Sequence, residues 1–478
     1  MKMDSRLISS AVLVALAATA PVAAKLSPAE VEMVTAVDAR QNDALMLLEK
    51  LVNQNSGSLN IDGVTKVGAI MRSELDALGL QTRWVPMQAT GRAGHLIATN
   101  IGRKNAKRIL MIGHLDTVFE PDAPAEVFTR SGDVASGQGV GDDKGGLAVM
   151  VLALQAMQAA GTLQATNLEI VLTGDEERVG SPVEVARADL IAAGKRADVA
   201  LDFEGLAQDG DKDLGSIARR SSNSWKLNTR GKTGHSSGIF SATAGDGAIY
   251  ELTRIIAAFR TQLPEPNLTF NVGLIAGGAT AALDRDGVRA VASGKPNIIP
   301  ATGLAFGDFR TLSDDQTARI REKMTAIVVA HAPGTEASIE FSEGYPPMAP
   351  TAGSRTYLAK LNAVNRDLGL PTMAELDPLK RGAGDIAFVA KDVDGLVGLG
   401  TGGKGAHAAG ETIQVSSIAR QAKRAAILMT RLGAEESPEL RAAHPAGAFN
   451  AAVQMARAVN GVSPTPPSSR DIRQDDIS

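Results

Sequence analysis

The chain has 478 residues, more than one ordinary compact core holds, so its length predicts roughly two or three domains. A formal net charge of −4 leaves no basic excess, which argues against a nucleic-acid-binding protein. The sequence contains no cysteine, which excludes disulfides and thiolate metal ligands and leaves His, Asp and Glu to build any metal site.

The first element in chain order is a candidate secretory signal. Lys2 and Arg6 precede an apolar, alanine-rich stretch over residues 7–20, and small residues follow where a signal peptidase would cut. The stretch is short for a membrane span, and an uncleaved membrane anchor is the alternative. We predict a signal peptide over residues 1–24, export to the periplasm or the medium, and no membrane association after cleavage.

Alternating strands and helices then predict an α/β domain with a mostly parallel sheet. A helix with a Ser N-cap opens the domain at residue 27 and runs to about residue 52. The apolar runs RILMIG, LEIVLTG, ADVALDF and DGLVGLG have the pattern of buried strands, and GLAVMVLALQAMQAAG has that of a helix. We assign residues 25–218 and 346–433 to this catalytic domain.

Residues 219–345 have a different pattern, which predicts an inserted α+β domain. SWKLNTRG and LTFNVGLIAGG fit strands of an antiparallel sheet, and helices fit about residues 246–263 and 314–331. The insert could act as a lid or as a dimerisation domain. Residues 434–478 form a C-terminal tail whose final stretch, VSPTPPSSRDIRQDDIS, has the composition of a disordered segment.

Polar residues follow four of the predicted strands. In chain order they are His114, Asp116, Glu176, Glu177, Asp202, Glu204 and His407. Because ligand sites in open α/β sheets lie at the carboxyl ends of the strands, these residues should face one crevice. The glycine-rich stretch GQGVGDDKGG adds Asp142 and Asp143 at the start of a helix, and it matches neither a dinucleotide fingerprint nor a P-loop.

Metal binding explains this concentration of acids, because buried carboxylates are costly unless a cation compensates their charge. The carboxylates of Asp142, Glu177 and Glu204 would balance most of the charge of two divalent ions. With His114 and His407 they make a set of nitrogen and oxygen ligands suited to zinc. Asp202, two residues before Glu204, remains a rival for its ligand role.

The motifs GHLDTV, GDDKGG, TGDEERVGS, LDFEG, GKTGHSSG, NIIPATGLAFGDFR and GAH occur in an order and spacing typical of one family. Over roughly residues 35–433 the chain resembles the di-zinc metallopeptidases that include glutamate carboxypeptidases, aminoacylases, carnosinase-like dipeptidases and succinyl-diaminopimelate desuccinylases. The glutamate carboxypeptidase branch fits best. The resemblance implies two Zn²⁺ per chain, with Co²⁺ or Mn²⁺ as substitutes, and a homodimer formed through the inserted domain.

The resemblance also implies a role for each candidate ligand. His114 and Glu204 would bind one zinc ion, Glu177 and His407 would bind the other, and Asp142 would bridge both.

Further residues would support the ligands and the reaction. Glu176 would be the general base that takes a proton from the attacking water and passes it to the leaving amine. Asp116 would accept the second ring N–H of His114 and so orient the imidazole. Asp143 would follow Asp142 through a cis peptide bond.

The inserted domain would supply the residues that contact the substrate. His235 would stabilise the developing oxyanion, in this family often across a dimer interface, and Asn297 and Arg310 would hold the terminal carboxylate of the substrate. The chain departs from the glutamate carboxypeptidase branch at Ser236-Ser237, where Ala-Gly is frequent. It also has RGAGDIA where a GGTD-like stretch is usual, so the side-chain specificity stays open.

We therefore predict a zinc-dependent metallocarboxypeptidase that releases a C-terminal amino acid, with glutamate as a candidate, from a small peptide or an N-acyl amino acid. An N-acyl-amino-acid deacylase or a dipeptidase is the alternative among enzymes. An inactive binding protein on the same fold is the alternative outside them. Asp175 has no assigned role, and His95, His331 and His444 fit no motif.

Overall fold

The computed structural model describes residues 26–284 and 288–437. The predicted signal peptide and all but the first few residues of the predicted tail lie outside these ranges. Within them, no helix combines the length and the apolar character that crossing a bilayer needs.

The described residues form nine α-helices and nineteen strands. The helices are α1 (Pro28–Val52), α2 (Ile61–Ala77), α3 (Lys144–Ala159), α4 (Val183–Ala186), α5 (Ala188–Arg196), α6 (Ala248–Gln262), α7 (Asp314–Val329), α8 (Ala352–Asp367) and α9 (Val415–Gly433). The strands up to the end of the insert are β1 (Gln81–Pro86), β2 (Gly94–Asn100), β3 (Arg108–His114), β4 (Thr129–Ser131), β5 (Val134–Ser136), β6 (Asn167–Thr173), β7 (Val199–Asp202), β8 (Ala207–Asp209), β9 (Lys212–Gly215), β10 (Ser222–Gly231), β11 (Thr269–Gly278), β12 (Thr280–Leu283), β13 (Ala290–Ser293), β14 (Thr302–Arg310) and β15 (Thr335–Tyr345). The last strands are β16 (Ala374–Glu375), β17 (Gly395–Val397), β18 (Gly403–Lys404) and β19 (Thr412–Gln414).

The central sheet has six strands in the order β1-β2-β6-β3-β7-β17. The last four run parallel, whereas β1 and β2 form an antiparallel edge. The predicted fold class, a mostly parallel α/β sheet with an α+β insert, is therefore confirmed.

Both faces of this sheet are covered, which explains why its strands read as continuous apolar runs. In β3, Ile109 and Met111 face one hydrophobic cluster, which includes the buried faces of α1, α3 and α9. The alternate residues Leu110 and Ile112 face the other cluster, which includes residues of α5. Helix α1 begins where the sequence predicts, with Ser27 and Glu30 forming a capping box.

The residues between β10 and β15 build a separate antiparallel sheet in the order β11-β14-β10-β15. One face packs on α6 and α7 around a third hydrophobic cluster, in which Trp225 and Phe259 meet edge to face at a centroid distance of 5.6 Å. The predicted apolar face of α7 contributes Ile320 and Met324 to this cluster. The insert therefore has a core of its own.

Candidate metal centre

The candidate site lies where parallel strands end at one edge of the central sheet. His114 is the last residue of β3 and pairs in register with Thr173, the last residue of β6. Glu176 and Glu177 follow β6 closely, and Glu204 follows β7, the neighbour of β3 on its other side. Because these strands point the same way, the loops after them meet at one crevice, as the sequence pattern predicts.

Candidate metal ligands form a compact cluster in this crevice. Asp142 lies between two imidazoles, with Oδ1 3.0 Å from His114 Nε2 and Oδ2 3.0 Å from His407 Nε2. His407 Nε2 is also 3.0 Å from Glu177 Oε2. Ligand atoms within 4.8 Å of one another form two groups that share Glu177, one with His114 and Glu176 and the other with Asp142 and His407. Each group could hold a metal ion.

The electrostatics of this cluster favour a cation. Hydrogen bonds to Asp142 and Glu177 raise the pKa of His407 to about 11. Burial lowers the pKa of His114, but hydrogen bonds to Asp116 and Asp142 outweigh burial, so the pKa lies well above its usual value. Among the described residues, Glu177 Oε1 is buried without a hydrogen-bond partner. Divalent ions that replaced the imidazole protons would meet a nitrogen and oxygen donor set that suits zinc.

Glu204, the fifth predicted ligand, is placed differently from the other four. It lines the same cavity, but its carboxylate belongs to neither group of ligand atoms in the described chain. Its Oε1 is 2.6 Å from Arg219 Nη1, and its Oε2 is 3.6 Å from Arg381 Nη2. The rival Asp202 is buried and accepts a hydrogen bond from the Glu204 amide at 3.2 Å. Since Glu204 lines the cavity and Asp202 does not, the geometry favours Glu204.

Asp116 is fully buried and joins two parts of the site. Its carboxylate lies 3.3 Å from His114 Nδ1, and its carbonyl oxygen lies 3.1 Å from the same nitrogen. The same carboxylate accepts hydrogen bonds from the backbone amides of Glu176 at 3.0 Å and Glu177 at 3.1 Å, and from the Ser58 hydroxyl at 2.6 Å. Asp116 therefore fixes the imidazole of His114 and the backbone of the predicted base together.

Glu176, the predicted general base, lines the cavity beside the ligand cluster. Burial raises the pKa of its carboxyl group well above the usual value, and the nearby Glu204 raises it further. The Tyr345 hydroxyl donates a hydrogen bond to the Glu176 carbonyl oxygen. Because Tyr345 ends β15, the last strand of the insert contacts the backbone of the predicted base.

The loop that carries Asp142 is anchored by a residue that sequence reasoning missed. The peptide bond between Asp142 and Asp143 is cis, as the resemblance implies. Glu411 is 1% exposed, and its carboxylate accepts hydrogen bonds from the amides of Gly139 at 3.0 Å, Gly141 at 2.8 Å and Asp142 at 2.9 Å. No local pattern marks Glu411, because its partners lie about 270 residues earlier in the chain.

Asp175, which the sequence left without a role, belongs to a buried ionic network behind Glu176. Arg187 is fully buried, and it donates hydrogen bonds to Asp175 Oδ1 at 2.5 Å and to Asp385 Oδ1 at 2.8 Å. Arg187 also donates to the Tyr345 hydroxyl at 3.1 Å. The cation compensates both carboxylates, and Asp175 Oδ2 accepts a hydrogen bond from the Gly180 amide at 2.8 Å, so Asp175 holds the turn that contains Glu176 and Glu177. The sequence shows Asp175 directly before the predicted base Glu176, but no sequence pattern identifies Arg187 as its partner.

Of the residues predicted to contact the substrate, one lines the cavity and two lie outside it. Arg310, at the end of β14, lines the cavity of about 630 Å³ that contains the ligand cluster. His235 and Asn297 are exposed and do not line this cavity. They lie side by side, because the amide of Ser236 donates a hydrogen bond to the Asn297 carbonyl oxygen at 3.0 Å.

Two of the three unassigned histidines have structural contacts. His95 is buried, with Nε2 2.8 Å from the Ala186 carbonyl oxygen and Nδ1 accepting from the Gly174 amide at 3.1 Å. His331 lies 3.6 Å from Glu251 in the insert. His444 lies outside the described residues.

Residues 110–431 match the sequence profile of Peptidase family M20/M25/M40. Carboxypeptidase G2 of Pseudomonas sp. (strain RS-16) is 26% identical over 404 residues, which cover 82% of this chain and 90% of that protein.

Solved structures show the same fold. Aminopeptidase PepT from Bacillus cereus ATCC 10987 aligns with a TM-score of 0.64 and 20% identity, over 82% of this chain and 98% of its own. The YXEP protein of Bacillus subtilis, described as a dinuclear metal-binding peptidase, aligns with a TM-score of 0.57 and 15% identity, over 83% of this chain and 99% of its own.

Proposed function

This chain is a metallohydrolase that belongs to peptidase family M20/M25/M40, as its motifs predict, and from this premise we propose that it is a zinc-dependent carboxypeptidase. It would hydrolyse a peptide or amide bond in a small peptide or an N-acyl amino acid and release the C-terminal residue, with glutamate as the preferred product. The observation that carries the proposal is the arrangement of Asp142 between His114 and His407, with Glu176 lining the same cavity.

We assign two zinc ions to this cluster. His114, Asp142, Glu177 and His407 would hold them through the imidazole nitrogens and carboxylate oxygens that already face one another. Glu204 would complete the set while one of its oxygens stays paired with Arg219. Bound zinc would polarise the scissile carbonyl group and lower the pKa of water.

The residues of the chain carry the proton and hold the substrate. Glu176 would take the proton of the attacking water and deliver it to the leaving nitrogen. Its backbone is held for this task by Asp116 on the amide side and by Tyr345 on the carbonyl side. Arg310 would pair with the α-carboxylate of the residue that is released, because a guanidinium group can bind a carboxylate through two hydrogen bonds.

We further propose a homodimer in which the insert of one subunit completes the active site of the other. The support is the position of His235 and Asn297, which are exposed and outside the cavity of their own chain. A partner subunit that packs on the insert could receive them, with His235 stabilising the oxyanion. We keep residues 25–218 and 346–433 as the catalytic domain and residues 219–345 as the insert, since the insert has its own sheet and core.

Export is also part of the proposal, and it rests on the signal pattern of residues 1–24. The mature protein would begin at Lys25 and reside in the periplasm or the medium.

The function is tested by a hydrolysis screen of dipeptides and N-acyl amino acids, read by the release of amino acid, with zinc or with a chelator. We expect release that stops with the chelator and returns with zinc, and no release from substrates whose α-carboxylate is amidated. Chelator-resistant hydrolysis would contradict the metal mechanism. Activity confined to N-acyl amino acids would favour the deacylase, and activity confined to dipeptides would favour the dipeptidase. Ligand binding without turnover would favour the inactive binding protein.

A further inference from the structure

Two segments of the chain join the insert to the catalytic domain, and they pair with each other. The Arg219 amide donates a hydrogen bond to the Met348 carbonyl oxygen at 2.9 Å, and the Met348 amide donates to the Arg219 carbonyl oxygen at 2.8 Å. Beyond this pair, Ser222 of β10 stands in register with Tyr345 of β15. Tyr345, the last residue of β15, thus lies where the insert meets the catalytic domain.

The hydroxyl of Tyr345 is held between a donor and an acceptor. Arg187 Nη2 donates a hydrogen bond to this hydroxyl at 3.1 Å, and the hydroxyl donates its proton to the Glu176 carbonyl oxygen. The directions are fixed, because a guanidinium group can only donate and a carbonyl oxygen can only accept. Burial raises the pKa of Tyr345 well above its usual value, and Glu176 raises it further, so the hydroxyl keeps its proton.

The catalytic domain holds Tyr345 from the other side. Arg187 is fully buried, and it also donates hydrogen bonds to the Asp175 carbonyl oxygen at 3.1 Å and to Asp385 Oδ1 at 2.8 Å. The ring of Tyr345 packs on Phe388 at a centroid distance of 5.0 Å. The hydroxyl therefore has a defined position, set by the backbone of the insert and by buried side chains of the catalytic domain.

The carbonyl oxygen that Tyr345 contacts belongs to the peptide group between the predicted base and a candidate ligand. The carbonyl of Glu176 and the amide of Glu177 are parts of one planar unit. The Glu177 amide donates a hydrogen bond to the Asp116 carboxylate at 3.1 Å, and Tyr345 holds the carbonyl side. This peptide group cannot turn without breaking one of these bonds, so the direction in which the Glu176 side chain leaves the backbone is fixed.

We propose that Tyr345 is a positioning residue through which the insert aligns the general base Glu176 of its own chain. The insert then takes part in proton transfer, apart from its contact with the substrate through Arg310 and from its contribution to a partner subunit. A displacement of about 1 Å at a catalytic group can cost on the order of 100-fold in rate, so a modest turn of this peptide group would matter. The inference rests on the proposed function and deepens it.

The kinetic test is Tyr345→Phe, which keeps the ring on Phe388 and removes only the hydroxyl. With the fastest substrate of the hydrolysis screen, kcat of the zinc-loaded enzyme should fall by about 10- to 100-fold while KM stays within about twofold. Bound zinc should equal that of the parent protein. The matched control is Tyr357→Phe, which removes a hydroxyl that donates to the Asp198 carbonyl oxygen at 2.8 Å and does not line the cavity. Its kcat and KM should be those of the parent.

Hydrogen exchange separates this inference from the proposed function, because it needs no turnover. Exchange of the peptide that contains residues 174–180 is followed by mass spectrometry in the zinc-loaded protein. We expect it to be about fivefold faster in Tyr345→Phe than in the parent protein or in Tyr357→Phe, since the peptide group after Glu176 loses the bond to its carbonyl oxygen. Exchange in α9 should be the same in all three proteins.

An unchanged kcat in Tyr345→Phe would overturn the inference and leave the hydrolase intact. A higher KM with unchanged exchange would also overturn it, because Tyr345, which lines the cavity, would then contact the substrate itself. A loss of zinc or of the folded state in Tyr345→Phe would assign the hydroxyl to the ligand Glu177 or to the fold instead of the base. If the parent protein hydrolyses no substrate, the proposed function fails, and the exchange experiment alone decides whether Tyr345 holds the backbone of Glu176.

Discussion

At the scale of single residues, the acids of TGDEERVGS separate into three tasks. Asp175 pairs with the buried Arg187 and holds the turn. Glu177 meets His407 at 3.0 Å in the ligand cluster, whereas Glu176 lines the cavity without sharing that contact. Like charges can be neighbours here because each meets a different partner.

Glu176→Gln should abolish turnover and keep the metal, because the amide cannot accept the proton of water and the residues assigned to hold the zinc ions are unchanged. We expect a loss of at least about 100-fold in kcat, with bound zinc equal to that of the parent protein by elemental analysis. Substantial residual activity would remove Glu176 as the base.

Glu411→Gln should weaken metal binding without touching a ligand. The Glu411 carboxylate accepts hydrogen bonds from the amides of Gly139, Gly141 and Asp142 through its two oxygens. A glutamine side chain has only one acceptor oxygen. Loosening this loop should reduce zinc affinity by about 10- to 100-fold, measured by competition with a chromophoric chelator. The exposed Glu343→Gln serves as the matched control, and an unchanged zinc affinity in Glu411→Gln would contradict the anchoring role.

At the scale of elements, local patterns predict most of the helices and strands. Periods of 3.6 and 2 residues mark α7 and β10, and the apolar Ile320 and Met324 of α7 and Trp225 and Leu227 of β10 are buried. Helix α7 also depends on a contact that the pattern does not contain. Glu265, from the loop before β11, pairs with Arg319 at 2.7 Å and Lys323 at 3.1 Å on α7.

This Glu265 cluster predicts a pH-dependent stability. Hydrogen bonds, chiefly from Arg319, lower the pKa of Glu265 to about 2. A carboxyl group with a lower pKa in the folded state stabilises the fold above its unfolded pKa of about 4.3, and the contribution disappears as the pH falls from there toward about 2. After allowance for solvent screening, its size at pH 7 is on the order of 1–2 kcal/mol.

Glu265→Gln should therefore be less stable than the parent protein at pH 7, and the difference should shrink as the pH approaches 3. Urea unfolding across this range measures the effect. Glu340→Gln, an exposed acid on β15, should show no such change. A stability difference that does not vary with pH would contradict the assigned pKa.

At the scale of the whole molecule, the site is assembled from distant parts of the chain. The four candidate ligands come from the end of β3 and from three separate loops, and they are His114, Asp142, Glu177 and His407. Tyr345 brings the end of the insert onto Glu176. His235 and Asn297 stay outside the cavity of their own chain. Under the proposed homodimer, the active site would be complete only when two chains assemble.

Mixing two inactive variants tests this assembly. Glu176→Gln lacks the base and His235→Ala lacks the oxyanion donor, so each homodimer should be inactive. If His235 acts across the dimer, a heterodimer has one intact site, and dissociation and reassociation of an equal mixture should restore about one quarter of the parent activity. Light scattering should report a dimer. If subunit exchange is demonstrated and activity does not return, His235 does not act across the dimer.

The sequence by itself determined the fold class and the identities of most candidate ligands. Alternating apolar runs specify the parallel sheet, and polar residues at strand ends specify the crevice, because both signals are local in the chain. His114, Glu177 and His407 follow predicted strands, Asp142 lies in a glycine-rich loop, and the family resemblance implies their ligand roles. The structure brings the four side chains together.

Only the tertiary structure determines which partner each buried charged side chain has. The partner of Glu411 is a loop about 270 residues away, and Asp175 is compensated by Arg187, which no motif contains. Glu204 is paired with Arg219 through one oxygen, and its other oxygen lies 3.6 Å from Arg381. The cost of burying a charge depends on its neighbours in space, and a linear pattern does not list those neighbours.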